Sequence, residues 1–152
     1  MRKNRRHNRI IFLFSIVFLI AVVVSLINSG KSEVCFEKKC IFVDLAVTDE
    51  EQIKGLSGRE NLGNNKGMLF IMGREGIYPF WMKDMLFSLD IIWISSNGTI
   101  VDLIEDADLC NGPICLPIIP DAKAKYVLEV NAGFSENIGI GIGDKVDIKI
   151  RN

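Results

Sequence analysis

Residues 10–27 constrain the fold of this chain more than any other stretch, because they form one uncharged, apolar run in which only Ser15 and Ser25 are polar. As an α-helix this run would extend about 27 Å, close to the ~30 Å thickness of the hydrocarbon core of a bilayer. The run therefore predicts one transmembrane helix. The globular fold has to be built from the residues that follow it.

The residues before this run predict its orientation. Residues 1–9 contain five Lys or Arg and no acidic residue, and a basic flank of this kind stays in the cytoplasm. We therefore expect a single-pass protein of the cell membrane, with a cytoplasmic N-terminus and an extracytoplasmic domain. A cleaved signal peptide is the alternative, but its apolar region is normally about 7 to 15 residues long and ends at small residues. The longer run favours an uncleaved signal-anchor.

The predicted organisation has four segments: a basic cytoplasmic tail (1–9), a transmembrane signal-anchor (10–27), a linker that carries a cysteine pair (28–40) and an exported β domain (41–152). The chain has 18 Lys or Arg and 19 Asp or Glu, so leaving out the five basic residues of the tail gives 13 against 19. Proteins that bind nucleic acid neutralise its phosphates with a basic surface. This acidic domain is therefore not expected to bind nucleic acid.

The four cysteines fall into two closely spaced pairs. In an oxidising compartment an even number of cysteines usually forms disulfides, so we predict the bonds Cys35–Cys40 and Cys110–Cys115. A zinc site with four thiolate ligands is the alternative that this spacing allows. The predicted location favours disulfides, and no metal or other cofactor is expected.

Short β-strands are predicted over most of the exported domain. Runs rich in apolar and β-branched residues, which are typical of strands, occur at 40–47, 67–72, 78–82, 90–95, 99–104, 125–130 and 144–150. Gly and Pro occur between many of these runs, which indicates turns. Residues 105–123 form a long connection that is rich in proline.

Two local signals add detail to this pattern. Asn97-Gly98 between two apolar runs predicts a hairpin turn. Thr48 and Glu51 form a capping box, which predicts a short helix, and residues 132–138 predict one more helical turn. The fold class is therefore mainly β: a compact single domain, like a barrel or a sandwich, with one or two short helices, preceded by the transmembrane helix.

Six motifs in the exported domain carry a resemblance to a known family. They are GLSGR (55–59), GMLF (67–70), FWMK (80–83), LDII (89–92), YVLE (126–129) and NAG (131–133). By these motifs the chain resembles the domain of unknown function 192 family, a group of small uncharacterised proteins, over about residues 42–150. The resemblance implies a compact, mainly β fold with no established activity. The chain departs from the family pattern at Asp84-Met85, where the family usually has Asn-Thr, and at Ser88, where it usually has Pro.

The chemistry open to the exported domain is restricted, because the only histidine of the chain is His7 in the tail. A Ser-His-Asp or Cys-His catalytic site and a histidine-based metal site are therefore excluded from the domain. The remaining polar candidates lie beside aromatic motifs. From these we predict a ligand-binding site that comprises Arg59, Trp81, Lys83, Asp84, Asp90 and Glu129.

In this hypothesis, Tyr78, Phe80 and Trp81 form the walls of a pocket and Asp90 forms its floor. Aromatic walls with a few polar groups are typical of small-ligand sites. The alternative interpretation is that the charged residues lie at strand ends, where such residues are usually solvated or paired.

The sequence favours a module that binds a small ligand or an envelope component such as a glycan. One alternative is a hydrolase of envelope glycans that uses two carboxylates, Asp84 with Asp90 or Asp90 with Glu129, as general acid and base. The other alternative is a structural or interaction domain that has no pocket. The membrane is the predicted partner of the anchor, and the sequence predicts no oligomeric state.

Overall fold

The structure is a computed structural model that describes residues 16, 18–20, 30–110, 112 and 114–151. Residues 16 and 18–20 are helical, and the rest of the predicted transmembrane segment 10–27 lies outside the described residues. None of the helices within the described residues is long and apolar enough to cross a membrane. Ser32–Ile150 form one compact unit.

One β-sheet forms most of this unit. In chain order the elements are β1 (Glu33–Cys35), β2 (Cys40–Ala46), α1 (Asp49–Lys54), β3 (Lys66–Gly76), β4 (Leu89–Ile94), β5 (Ile100–Ala107), β6 (Ala124–Asn131), α2 (Phe134–Ile138) and β7 (Asp147–Lys149). The strand order in the sheet is β5-β4-β6-β3-β2-β1-β7. Neighbouring strands are antiparallel except β2 and β3, which run parallel because the connection through α1 crosses over between them. The predicted mainly β fold with few short helices is confirmed.

The two edges of the sheet approach each other without closing it. Lys145, just before β7, forms an isolated bridge with Thr99, just before β5, and the amide of Val146 donates to the carbonyl of Gly98 at 2.8 Å. Beyond this contact the described strands β5 and β7 do not pair. The predicted barrel-like or sandwich-like form is therefore corrected to one open sheet, which must curve strongly to bring its edges together.

Apolar side chains cover both faces of the sheet. All six residues of β4 are buried, and they alternate between two clusters: Leu89, Ile91 and Trp93 belong to the first, and Ile92 and Ile94 to the second. Other elements complete the first core with Leu56, Leu62, Met82 and Met85 and the second core with Phe36, Phe134 and Val146. The face on which a side chain lies therefore decides which core or cavity it can reach.

Helix α1 begins with the predicted capping box. The amide of Glu51 donates to the hydroxyl of Thr48 at 3.3 Å, and the carboxylate of Glu51 accepts from the amides of Thr48 and Val47 at 2.9 Å each. The same bonds from Thr48 and Val47 hold the pKa of Glu51 below its usual value. The side chain of Gln52 donates to the carbonyl of Ile71 at 3.0 Å. Helix α1 is thereby fixed against β3.

Removal of the cap should destabilise the domain moderately. Thr48→Ala deletes the hydroxyl that accepts from Glu51, and we expect a loss of about 1 kcal/mol in the free energy of unfolding, measured by urea denaturation of the full chain. Thr48→Ser is the matched control, because it keeps the hydroxyl and should stay close to the wild type. Equal stability of Thr48→Ala and the wild type would contradict this role for the cap.

Four predicted strands differ from the observed ones, and one of them, β5, extends beyond the predicted 99–104 to Ala107. Strand β3 continues beyond the predicted 67–72 to Gly76, and its pairing with β6 becomes irregular after Ile71. Residues 78–82 are not a strand, since their one described pairing is the isolated bridge between Phe80 and Ile118. The last strand, β7, is shorter than the predicted 144–150. The predicted hairpin at Asn97-Gly98 is confirmed, because it joins β4 to β5.

The two cysteine pairs have different outcomes. The Cys35–Cys40 disulfide is formed, and it closes the turn between β1 and β2, where the two residues are opposite partners. The predicted Cys110–Cys115 disulfide is not formed in this structure, where both residues are free thiols. The two thiols are hydrogen-bonded, which raises the pKa of Cys115. The structure thus brings the second pair together without the covalent bond.

Candidate functional site

A cavity of about 330 Å³ lies beside α1 and β3. Residues of α1 and the turn that follows form part of its wall, and residues 78–81 form another part. Its lining is largely apolar and includes four aromatic rings: Phe70, Tyr78, Phe80 and Trp81. Cavities that bind small molecules range from about 300 to 1,000 Å³. This cavity is therefore large enough for a small organic molecule.

Contacts among the aromatic rings fix the inner wall. Phe80 packs edge-on against Phe70, with the ring centroids 4.8 Å apart, and against Trp93, with the centroids 6.0 Å apart. Trp93 is fully buried, and its indole N–H donates to the carbonyl of Tyr78 at 3.0 Å. Trp81 is 47% exposed, so it forms the solvent-exposed part of the aromatic wall.

Gly55 ends α1 at the edge of this cavity. Its φ of 48° is a conformation that residues with a side chain rarely adopt. A Cβ atom at this position would lie 3.3 Å from Cζ of Phe70. A glycine therefore lets the chain leave the helix close to the aromatic wall.

Glu129 of β6 brings a carboxyl group into this apolar cavity. Its neighbours across the sheet are Met68 of β3 and Ile91 of β4. Glu129 is only 5% exposed, and its Oε2 atom has no hydrogen-bond partner among the described residues. Burial raises the pKa of Glu129 to about 8, although the charge of Arg59 opposes this rise. The carboxyl is therefore mostly protonated at neutral pH.

Arg59 lies near Glu129 but is paired with another acid. Its guanidinium donates to the carboxylate of Asp44 at 2.8 Å, and both side chains are partly exposed. Asp44, Met68 and Glu129 are successive cross-strand neighbours on β2, β3 and β6. With strands about 4.8 Å apart, Asp44 and Glu129 are separated by roughly 10 Å. Arg59 therefore affects the pKa of Glu129 without neutralising its charge by direct contact.

Asp90 is not the floor of this cavity. Side chains alternate between the faces of a strand, and the residue after Asp90 lies opposite Glu129, so Asp90 lies on the other face. Its fully buried carboxylate accepts from the backbone amides of Asp106 at 3.0 Å, Gly133 at 3.1 Å and Ser135 at 2.8 Å. Asp90 therefore joins β5 to the start of α2.

Lys83 and Asp84 are exposed and support the cavity through their backbone. The carbonyl of Lys83 accepts from the hydroxyl of Ser57 at 3.0 Å, and the carbonyl of Asp84 accepts from the amide of Gly58 at 2.9 Å. Asp84 has a φ of 57°, a left-handed conformation that Asp tolerates better than most residues. These bonds attach the turn after α1 to the loop between β3 and β4.

The structure thus separates the six predicted site residues into groups. Trp81 and Glu129 line the cavity, Arg59 lies beside it, and Lys83 and Asp84 brace its wall. Asp90 is on the opposite face of the sheet. Asp90 therefore cannot act on one substrate with Glu129 as the acid and base of the hydrolase that the sequence left as an alternative.

The part of the cavity that α1 and the turn after it supply was not predicted from the sequence. Gln52, Gly55 and Ser57 line it, and so do Met72 and Met85. The available signal was the capping box followed within a few residues by GLSG, which places a short helix and a glycine turn next to an apolar strand. Among the described residues, no group of three or more His, Cys, Asp or Glu side chains is arranged to hold a metal ion.

Comparison with known proteins adds family and structural relationships. Residues 32–148 match the family model DUF192, described as an uncharacterised ACR. No curated protein matches the chain. A solved structure of a protein described as a candidate transcription regulator, from Sinorhizobium meliloti 1021, has a TM-score of 0.69 and 29% identity, covering 78% of this chain and 92% of that one. A protein of unknown function from Novosphingobium aromaticivorans DSM 12444 has a TM-score of 0.68 and 29% identity, covering 77% and 83%.

Proposed function

The chain belongs to the DUF192 family, and from its cavity we propose that the domain binds a small, largely apolar ligand. The observation that carries this proposal is the carboxyl of Glu129, whose Oε2 atom is buried in the aromatic cavity with no hydrogen-bond partner among the described residues. An unpaired buried polar group typically costs about 1–3 kcal/mol of stability. Such costs are retained mainly at functional sites, where a ligand supplies the missing partner.

The shape of the cavity supports the same proposal. Its inner aromatic rings are fixed by edge-on packing, so the site is already formed before a ligand arrives, and a preformed site loses less entropy on binding. Trp81, half exposed, supplies an aromatic surface at the solvent-exposed side of the cavity. A volume of about 330 Å³ suits one small molecule or one terminal group of a larger envelope component.

We also propose that the domain is extracytoplasmic and attached to the cell membrane by residues 10–27. The uncharged apolar run and the basic residues before it support this location. The Cys35–Cys40 disulfide is in keeping with an oxidising compartment. In this arrangement the cavity would be open to ligands of the cell envelope.

Two probes test whether the cavity binds small molecules: 2-phenylethanol, which is neutral, and phenethyltrimethylammonium, which carries a permanent positive charge. The full chain is prepared with ¹³C-methyl methionine in lipid nanodiscs, with protein-free nanodiscs as the blank. Met72 and Met85 line the cavity, so their methyl signals should shift most, and saturably, with at least one probe. Trp81→Ala should weaken that binding about fivefold, because it removes one aromatic wall.

Ile119→Ala is the matched control for Trp81→Ala, since Ile119 is also an exposed apolar residue but lies outside the cavity lining. Its affinity for the probes should match that of the wild type. If neither probe gives saturable shifts at Met72 and Met85, the proposed binding function is wrong.

A further inference from the structure

We propose that the ligand of this cavity is a small organic cation, an ammonium group carried on an apolar body, with the carboxylate of Glu129 as its counter-ion. This inference rests on the proposed binding function and specifies the chemistry of the ligand. It follows from the hydrogen-bonding capacity of the lining, from its aromatic rings and from the charges around Glu129.

The lining offers an acceptor, while several of its donors are already used. The hydroxyl of Tyr78 donates to the carbonyl of Arg74 at 2.7 Å, the hydroxyl of Ser57 donates to a backbone carbonyl at 3.0 Å, and the side-chain amide of Gln52 donates to the carbonyl of Ile71 at 3.0 Å. Among the residues that line the cavity, Glu129 carries the buried side-chain atom without a hydrogen-bond partner in the described structure, its Oε2. The cavity therefore suits a ligand that brings a donor or a positive charge.

The aromatic rings favour a cation over a neutral donor. Phe70, Tyr78, Phe80 and Trp81 line one small cavity. The face of an aromatic ring attracts a cation within about 6 Å of its centroid, and several rings around one point recognise ammonium groups. Together with a carboxylate, such rings supply both the surface for the apolar body of the ligand and the charge for its head group.

The charged groups around Glu129 leave it without a counter-ion in direct contact. Its cross-strand neighbours on β3 and β4 are apolar, and the guanidinium of Arg59, on the turn after α1, is paired with Asp44. On α1, Asp49 and Lys54 line the cavity with opposite charges, and the phenol of Tyr78 is the titratable group from the loop after β3. A cationic ligand would supply the counter-ion that the carboxylate lacks once it has released its proton.

Binding of such a cation releases one proton at neutral pH. In the empty cavity the carboxyl of Glu129 is mostly protonated, because burial raises its pKa to about 8. When the ammonium ion enters, the O–H bond of Glu129 breaks, the proton passes to the buffer and the carboxylate pairs with the cation. The apparent affinity should therefore rise with pH, by up to about tenfold per unit between pH 6 and 8, and level off above pH 8.

The experiment compares phenethyltrimethylammonium with 2-phenylethanol, using the methionine-methyl titration of the full chain from pH 6 to pH 9. The charge of the first probe does not titrate, so its pH dependence reports on the protein. We expect the cation to bind at least about tenfold more tightly than the alcohol at pH 9. The affinity for the alcohol should stay level or fall as pH rises.

Glu129→Gln should remove both the preference for the cation and its pH dependence. Glu136→Gln is the control, because Glu136 is an exposed acid of α2 outside the cavity lining, and it should behave as the wild type. Tighter binding of the alcohol than of the cation at pH 9, or cation binding that does not change with pH, would overturn this inference and leave the binding function standing. Absence of saturable binding of either probe to the wild type would overturn both proposals.

Discussion

Asp90→Ala is expected to lower the free energy of unfolding by about 3–5 kcal/mol, the largest effect of any single substitution considered for this domain. The carboxylate of Asp90 accepts three backbone N–H bonds, and it is fully buried. Alanine would leave these amides without their acceptor, and the amide of Ser135 lies in a fully buried setting. Urea denaturation of the full chain measures the loss, and the domain should remain unfolded if its total stability is smaller than this loss.

Two further variants test whether the loss of stability comes from the buried position of these hydrogen bonds. Asp90→Asn keeps one carbonyl oxygen and should lose less than Asp90→Ala. Asp102→Ala is the matched control, because the carboxylate of Asp102 also accepts two backbone N–H bonds, from Leu103 and Asp121, but in more exposed positions where water can replace it. A loss in Asp90→Ala no larger than that in Asp102→Ala would refute the bracing role of Asp90.

The stability of the wild-type domain is expected to fall as pH rises from about 4.5 to 8, and Glu129→Gln is expected to remove most of this fall. The carboxyl of Glu129 has a pKa of about 8 in the folded domain, against 4.5 as its ordinary value, because burial disfavours its charged form. Between these two values the folded state binds a proton that the unfolded state has released, so the free energy of unfolding decreases with pH. The total change is on the order of 4 kcal/mol.

The difference in the free energy of unfolding between wild type and Glu129→Gln reports on Glu129, because the other acids are the same in both proteins. Urea denaturation of both proteins at pH 5, 6, 7 and 8 gives the free energy of unfolding at each pH. The two plots of this free energy against pH should diverge steadily, with the variant the more stable protein at pH 8. Glu75→Gln is the control: Glu75 is exposed, and its pKa is lowered by the amide of Ser96, so its substitution should leave the fall between pH 5 and 8 in place. Parallel curves for wild type and Glu129→Gln would show that Glu129 ionises normally.

Local signals in the sequence predicted local structure well. The capping box of Thr48 and Glu51 and the turn at Asn97-Gly98 depend on residues within a few positions of each other, so the sequence contains the whole interaction. The Cys35–Cys40 disulfide is local in the same sense. The mainly β character followed from the number of short apolar runs.

The floor of the cavity could not be predicted in this way. Strand β4 is buried on both faces, so its sequence lacks the alternation of polar and apolar residues that shows which face meets the solvent. Without the register between β4 and β6, Asp90 and Glu129 are equivalent as buried acids. The observed pairing places them on opposite faces, and this pairing depends on residues about 40 positions apart in the chain.

The segment 78–82 shows a second limit. Its residues Tyr-Pro-Phe-Trp-Met have the composition of a strand, but residues 78–81 form a wall of the cavity and the backbone of the segment makes one isolated bridge. An apolar run indicates that its side chains are buried, but it does not indicate which elements cover them. Side chains that pack against a helix and a loop are buried just as those of a paired strand are. The structure places Tyr78, Phe80 and Trp81 in the lining of the cavity, while the backbone that carries them is not the predicted strand.

The meeting of the sheet edges at Thr99 and Lys145 bears on how the protein behaves among copies of itself. Unpaired strand edges invite neighbouring chains to add strands, which leads to aggregation. The contact beside β5 covers the start of that edge, while Glu105 and Asp106 near its other end are exposed acids, and Asp106 breaks the extended backbone with a φ of 48°. A second copy of the chain that approached β5 would find the start of this strand already covered and its other end kinked and negatively charged. We therefore expect that copies of the domain do not associate through this edge, even at high local concentration.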